Sequence, residues 1–99
     1  MGGRAAVLLR EKMTDERGNL REMVIWRVPP TPQQPEGVRY RLALIRAGDK
    51  RPTILYDNHR PKGHHRHFAG SEEPYRFINV GRLTADFLAD VRRVIGAEQ

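Results

Sequence analysis

Apolar and polar positions alternate with a period of two through much of the first two thirds of the chain, then recur at helical spacing in the last third. The clearest alternation starts at Val38. Val38, Tyr40, Leu42 and Leu44 share one face while Arg39, Arg41, Ala43 and Ile45 share the other, which predicts a strand with one buried side. Upstream, the apolar block from Ala5 to Leu9, the turn-rich Thr14-Asp15-Glu16-Arg17-Gly18-Asn19 and the mixed alternation from Leu20 to Val28 read as a hairpin. Ala and Leu would also suit a short helix in the first block, but the adjacent turn and the β-branched and aromatic second arm favour a strand. Pro29-Pro30-Thr31-Pro32-Gln33-Gln34-Pro35 lacks ladder donors at four positions, so the sheet is expected to break into an exposed loop over residues 29–37 that folds over a neighbour or a partner.

After a turn at Gly48-Asp49-Lys50, Pro52 to Tyr56 predicts another strand, with Leu55 and Asp57 on one side and Ile54, Tyr56 and Asn58 on the other. Arg60-Pro61-Lys62-Gly63 is a turn, from which His64 to Phe68 returns antiparallel, placing His65 and His67 on one face and His64, Arg66 and Phe68 opposite. Leu83, Phe87, Leu88, Val91, Val94 and Ile95 then recur at helical spacing, with Thr84 as a suitable N-cap and Gly96 as a stop. Asp86 and Asp90 near the expected start and Arg92 and Arg93 near the end complement the helix dipole. The only apolar surface available to that helix is the buried face of the sheet. The expected architecture is α+β: an antiparallel sheet of four or five strands with one C-terminal helix packed on it, forming a single domain over residues 1–99 with a frayed tail at 97–99.

Composition sharpens this picture. A chain of 99 residues with 38% hydrophobic content has room for one core and one principal surface site. The absence of cysteine excludes disulfides and thiolate metal sites and fits a reducing compartment. No apolar run approaches the roughly 20 residues needed to span a bilayer, and the start is too interrupted for a signal peptide, so a cytoplasmic location is expected and no membrane partner. The net charge is +6, with 15 Arg against 3 Lys, a bias towards the planar donor that grips phosphate and carboxylate. Nucleic acid heads the list of anionic partners, followed by an acidic protein.

Candidate chemistry concentrates in one segment. Residues 57–67 hold all four histidines together with Arg60, Lys62 and Arg66. Imidazole transfers protons near neutral pH. Metal-free RNA cleavage needs a base for the ribose 2′-hydroxyl, an acid for the leaving 5′-oxygen and cations for the charge growing on phosphate. His65 and His67 are the candidates for proton transfer, and Asp57 would orient one of them. Because Arg66 points away from that face, Lys62, Arg39 and Arg41 are the nearer phosphate-binding candidates. Arg66 completes the cationic set, and Tyr56 and Tyr75 could stack an unpaired base.

A metal site built from His65, His67 and Asp57 is the competing arrangement. Surrounding positive charge opposes it unless Glu72 or Glu73 folds in, so no metal and no cofactor are expected. Glu72-Glu73 otherwise reads as a solvated turn. A third reading also stays open, in which Asp57-Asn58 forms an Asx turn and the histidines lie on a charged edge strand that discourages aggregation. Trp26 and Tyr40 read as core or sheet-face residues rather than a stacking platform.

Taken in order, Ile25-Trp26-Arg27-Val28-Pro29, Gly37-Val38-Arg39-Tyr40-Arg41-Leu42, Tyr56-Asp57-Asn58-His59, Gly63-His64-His65-Arg66-His67, Glu73-Pro74-Tyr75 and Asp86-Phe87 resemble the TumE family of bacterial toxin-antitoxin proteins. The likeness spans nearly the whole chain, and its most specific part is the Asp57-Asn58 pair followed by the basic turn and the His-Arg-His run. It implies a small toxin with a cognate antitoxin that carries a DNA-binding domain. It carries no role onto His59, Arg60, Pro61 or His64 and hands over no catalytic assignment. Joining the toxin role that the resemblance implies to the chemistry of the residues, the leading expectation is a toxin that cleaves RNA without metal. The alternative is a non-catalytic basic module that binds RNA, a ribosome or an acidic protein. A homodimer is compatible with either.

Overall fold

The computed structural model describes residues 5–59 and 62–96. The Arg60-Pro61 half of the expected turn and the tail at 97–99 lie outside them. Six strands form one antiparallel sheet: β1 Ala6–Thr14, β2 Leu20–Arg27, β3 Val38–Ile45, β4 Ile54–Asp57, β5 His65–Phe68 and β6 Ser71–Pro74, followed by the helix α1 Val80–Ile95. Spatial order equals chain order, so every connection is between neighbouring strands and the sheet is a meander.

The expectation of four or five strands is thus corrected to six. The missed strand β6 has the sequence Ser-Glu-Glu-Pro and is exposed throughout, so it has no apolar alternation to betray it. It exists because Ala69 and Gly70 both take positive φ, 50° and 91°, which matches the tight two-residue turn that joins antiparallel strands. Its register follows: His67 pairs with Glu72, and Arg66 with Glu73.

One face of the sheet is buried under α1. Met23, Ile25, Val38, Tyr40, Leu42, Leu44, Ile54 and Tyr56 pack there against Leu83, Phe87 and Val91 of the helix, and the apolar positions of β2, β3 and β4 are in register across this face. Full burial of one such side chain contributes about 1.5–3 kcal/mol relative to exposure.

The helix begins earlier than its apolar spacing indicates. Asn79 is the N-cap, its side chain accepting a 2.7 Å hydrogen bond from the Arg82 N–H, whereas Thr84 lies inside the helix and donates to the Gly81 carbonyl. Val80, Gly81 and Arg82 add a turn before the first fully buried residue, Leu83; Val80 packs against the core and extends the apolar stripe to the true start, which the cap-like Thr84 obscured. As a result the first turn holds no acidic residue, and Asp86 and Asp90 do not serve the helix dipole as expected. Gly96 does occupy the C-cap.

The Pro-rich loop is largely exposed but closes on itself through a Thr31–Gln34 bridge, and its Glu36 carboxylate reaches His64 Nε2 at 3.2 Å. It therefore folds over a neighbour. Asn58 continues the β3–β4 ladder with its side chain: Oδ1 accepts from the Tyr40 N–H at 3.0 Å and Nδ2 donates to the Val38 carbonyl at 2.8 Å.

Candidate functional site

The sheet face away from α1 carries the chemistry. Directly opposed residues of antiparallel strands project to the same side. Across β3, β4 and β5 one row runs Arg41, Asp57, His65, and the next runs Ala43, Leu55, His67 and, on β6, Glu72. Asp57, His65 and His67 are thereby gathered on one surface from two strands. The Asp57 carboxylate oxygen Oδ1 is 3.0 Å from His65 Nε2 and also accepts from the His59 backbone N–H at 3.2 Å, so one oxygen both closes an Asx turn and meets the imidazole.

His65 is nearly buried, and its other nitrogen, Nδ1, lies 2.9 Å from the Gly63 carbonyl. Both ring nitrogens face oxygen acceptors, a shell that a doubly protonated imidazolium satisfies completely. His67 packs edge-to-face against it with ring centroids 5.1 Å apart. His67 is the more accessible of the two, with a side chain 34% exposed, and its Nε2 is 2.9 Å from Glu72 Oε2. Lys62 donates to both Glu72 oxygens at 3.1 Å, and this bond holds the Glu72 carboxyl below its ordinary value.

Glu72 is the site residue that sequence reasoning placed in a solvated turn. The signal that would have found it is the Ala69-Gly70 turn, because a two-residue connection brings Glu72 opposite His67. The ligand atoms of His65, His67 and Glu72 lie within 4.8 Å of one another, so these three residues are the ones that could hold a divalent metal. Each is already committed within the protein, however. His65 is bonded at both nitrogens, His67 is bonded to Glu72, and the Lys62 ammonium sits on the carboxylate where a cation would bind.

The cationic candidates divide between the two sides. Arg39 and Arg41 are exposed on the histidine face. Arg39 donates from Nη2 to His59 Nδ1 at 3.2 Å, while Arg41 has no hydrogen bond or ion pair among the described residues.

Arg66 is on the helix side. Its Nε donates to Asp90 Oδ2 at 2.7 Å and to the Tyr56 hydroxyl at 3.0 Å, its Nη1 pairs with Glu73, and its guanidinium lies 4.9 Å from the Phe68 ring centre. Tyr56 is a core residue, 2% exposed, donating to Asp90 at 2.6 Å. Tyr75 donates to Asp86 at 2.6 Å and meets the Tyr56 ring edge-on. Arg66, Tyr56 and Tyr75 are thus separated from the histidine pair by the sheet and do not join its phosphate or stacking groups.

Burial, reinforced by the hydrogen bond to Asp90, pushes the Tyr56 hydroxyl above its ordinary value. Burial alone would also raise the Asp90 carboxyl, but hydrogen bonds from Arg66 and Tyr56 outweigh it and hold that group below its ordinary value.

The remaining histidine, His64, faces the helix side as its alternation requires. It clusters with Tyr40 and Phe77, whose ring centroids lie 5.7 and 5.0 Å from it and 5.9 Å from each other, and shares a 2.8 Å hydrogen bond with the Tyr40 hydroxyl.

No helix among the described residues is long and apolar enough to cross a membrane. A family model described as Toxin TumE matches residues 4–95 of the chain. Comparison with curated proteins and with solved structures finds no match.

Proposed function

Because the chain belongs to the TumE toxin family, which implies an antitoxin partner, we propose that it is a toxin acting on RNA through metal-independent cleavage at the His65–His67 pair. The observation that carries this reading is the juxtaposition of two imidazoles, 5.1 Å apart, each with its own carboxylate, beside the exposed Arg39 and Arg41. His67, the more accessible ring, takes the proton of the ribose 2′-hydroxyl as that oxygen attacks phosphorus. His65, held in place by Asp57 and the Gly63 carbonyl, supplies the proton to the departing 5′-oxygen once substrate displaces one of its partners. Lys62 offsets the charge that develops on the phosphoryl oxygens, and Arg39 and Arg41 bind neighbouring phosphates of the strand. The antitoxin, carrying a DNA-binding domain, would cover this basic face. Action in the cytoplasm follows from an RNA target, and a homodimer is compatible with the site because both histidines come from one chain.

The test is incubation of purified protein with RNA, with and without chelator. Cleavage unaffected by chelator and abolished in the His65→Ala, His67→Ala double variant is the expected result. Absence of cleavage in both conditions, together with growth inhibition that survives the double variant, would overturn the enzymatic reading. A second reading, a non-catalytic module that inhibits by occupying RNA, a ribosome or an acidic protein, draws on one observation: Asp57, His65, Glu72 and Lys62 all have hydrogen-bond partners within the protein. Both readings predict salt-sensitive binding to polyanions, so cleavage is the discriminating measurement.

A further inference from the structure

The histidine face continues into a groove that the proposed proton-transfer groups do not use. It has a volume of about 450 Å³ and is lined by Val24, Trp26, Val28, Arg39, Arg41 and Asp57 among others. Its floor is apolar, and its rim carries the Arg39 and Arg41 guanidinium groups with the Asp57 carboxylate at the end nearest the histidines. Trp26 pairs in register with Arg39, and Val24 with Arg41, so an indole and two guanidinium groups emerge from adjacent strands on the same side of the sheet. The chain's single tryptophan is therefore not a core residue but is partly exposed on the face that carries the candidate chemistry. The Arg10 guanidinium lies over one face of the indole, 5.3 Å from its ring centre, and restrains the ring, so a stacked base takes the other face or displaces Arg10.

We propose that this groove is a subsite for an unpaired nucleobase of a single RNA strand, stacked on Trp26, with the adjoining phosphates on Arg39 and Arg41. This rests on the reading that the protein acts on RNA. Three features favour that occupant. An aromatic platform beside cations is the arrangement that holds single strands, because every base presents a π-face and every nucleotide a phosphate. Arg41 has no protein counter-ion among the described residues, so an incoming phosphate displaces none. Asp57 lines the groove and also contacts His65, so a strand in the groove leads directly to the histidine pair. Trp26 on β2 and His65 on β5 are three strand spacings apart, roughly 15 Å, so the stacked base belongs to a nucleotide flanking the one that is cleaved. The groove would then set sequence or context preference rather than perform the reaction.

Because the chain has one tryptophan, its fluorescence reports this site alone. The probe is a short oligouridylate made resistant to cleavage by 2′-O-methylation, compared with inorganic polyphosphate of equal charge. The oligonucleotide should quench and shift the emission and polyphosphate should not; with binding to both protein forms read by anisotropy of an end-labelled oligonucleotide and its competition by polyphosphate, Trp26→Leu should weaken oligonucleotide binding by about tenfold while leaving polyphosphate binding unchanged. Trp26→Phe, which keeps a smaller platform, should fall between them and serves if the leucine variant does not fold. Equal quenching by polyphosphate, or unaltered oligonucleotide binding in either variant, would overturn the subsite. So would emission that responds to purified antitoxin but not to RNA. Quenching without any RNA cleavage by the wild-type protein would instead remove the catalytic reading and leave the subsite standing. Cleavage with unchanged site preference in Trp26→Phe and Trp26→Leu would do the reverse.

Discussion

At the scale of single residues, two side chains show how one polar group does several jobs on a sheet. Asp57 closes an Asx turn and meets His65 with the same oxygen. Asp57→Asn should keep the turn, since an amide oxygen also accepts, while replacing the carboxylate that orients His65 through Nε2. Cleavage should fall by about 10-fold or more, up to the 10²–10⁴ contributed by a positioned acid or base, with little change in melting temperature. Single-turnover rates alongside thermal denaturation would check this, and a parallel loss of both would mean that Asp57 is structural only. Asn58 is the contrasting case: its side chain substitutes for backbone by bonding to the Tyr40 N–H and the Val38 carbonyl. Asn58→Ala should therefore cost about 1–3 kcal/mol by leaving buried groups unsatisfied, measured by denaturant unfolding, and a loss below 0.5 kcal/mol would show that water replaces the amide.

At the scale of elements, α1 is fastened to the sheet by more than its apolar stripe. Asp90 is 5% exposed and accepts from Tyr56 on β4 and Arg66 on β5, while Arg66 is also paired with Glu73 on β6. One buried carboxylate thus links the helix to two strands and, through Arg66, to a third. Removing one partner of a buried pair leaves the other uncompensated, so Asp90→Ala should destabilise by about 3 kcal/mol, with a Tm lower by roughly 12–24 °C. Glu73 is exposed on the edge strand, and Glu73→Ala should stay within about 1 kcal/mol of wild type. Comparing the two variants by thermal denaturation tests the order, and equal effects would show that Arg66 draws its stabilisation from the edge strand instead.

At the scale of the whole molecule, the shifted groups set a pH window of stability. The Asp90 carboxyl is lowered from 3.8 in the folded protein, so its contribution is present above that value and is lost as pH falls through the lower folded one. The Tyr40, Tyr56 and Tyr75 hydroxyls are raised above 10.0, chiefly by burial. Their contribution is complete below pH 10.0 and is lost as pH rises past it, because the unfolded chain ionises first. Stability should therefore decline below pH 4 and above pH 10, and Tyr56→Phe should reduce the alkaline decline. Melting temperatures across pH 3–11 would show this, and an alkaline limb unchanged in Tyr56→Phe would contradict it.

Local sequence determined which side of each strand a residue occupies, because alternation depends only on the two-residue repeat of an extended chain. It separated His65 and His67 from His64 and Arg66, placed Arg39 and Arg41 together, and indicated one helix by its apolar spacing. It did not reveal β6, whose four exposed residues have no hydrophobic pattern, and so it missed Glu72 as the partner of His67. It also marked the helix start too late: Val80 packs against the core one turn before Leu83, but Gly81 and Arg82 are exposed and Thr84 looked like the cap. Tertiary structure alone decided that Asp90 is a buried anchor, that Tyr56 and Arg66 serve the core side, and that Trp26 lines a groove beside the histidines. These depend on which strands lie next to one another and in what register. Such pairings join residues up to 34 positions apart, and no short-range repeat in the chain encodes them.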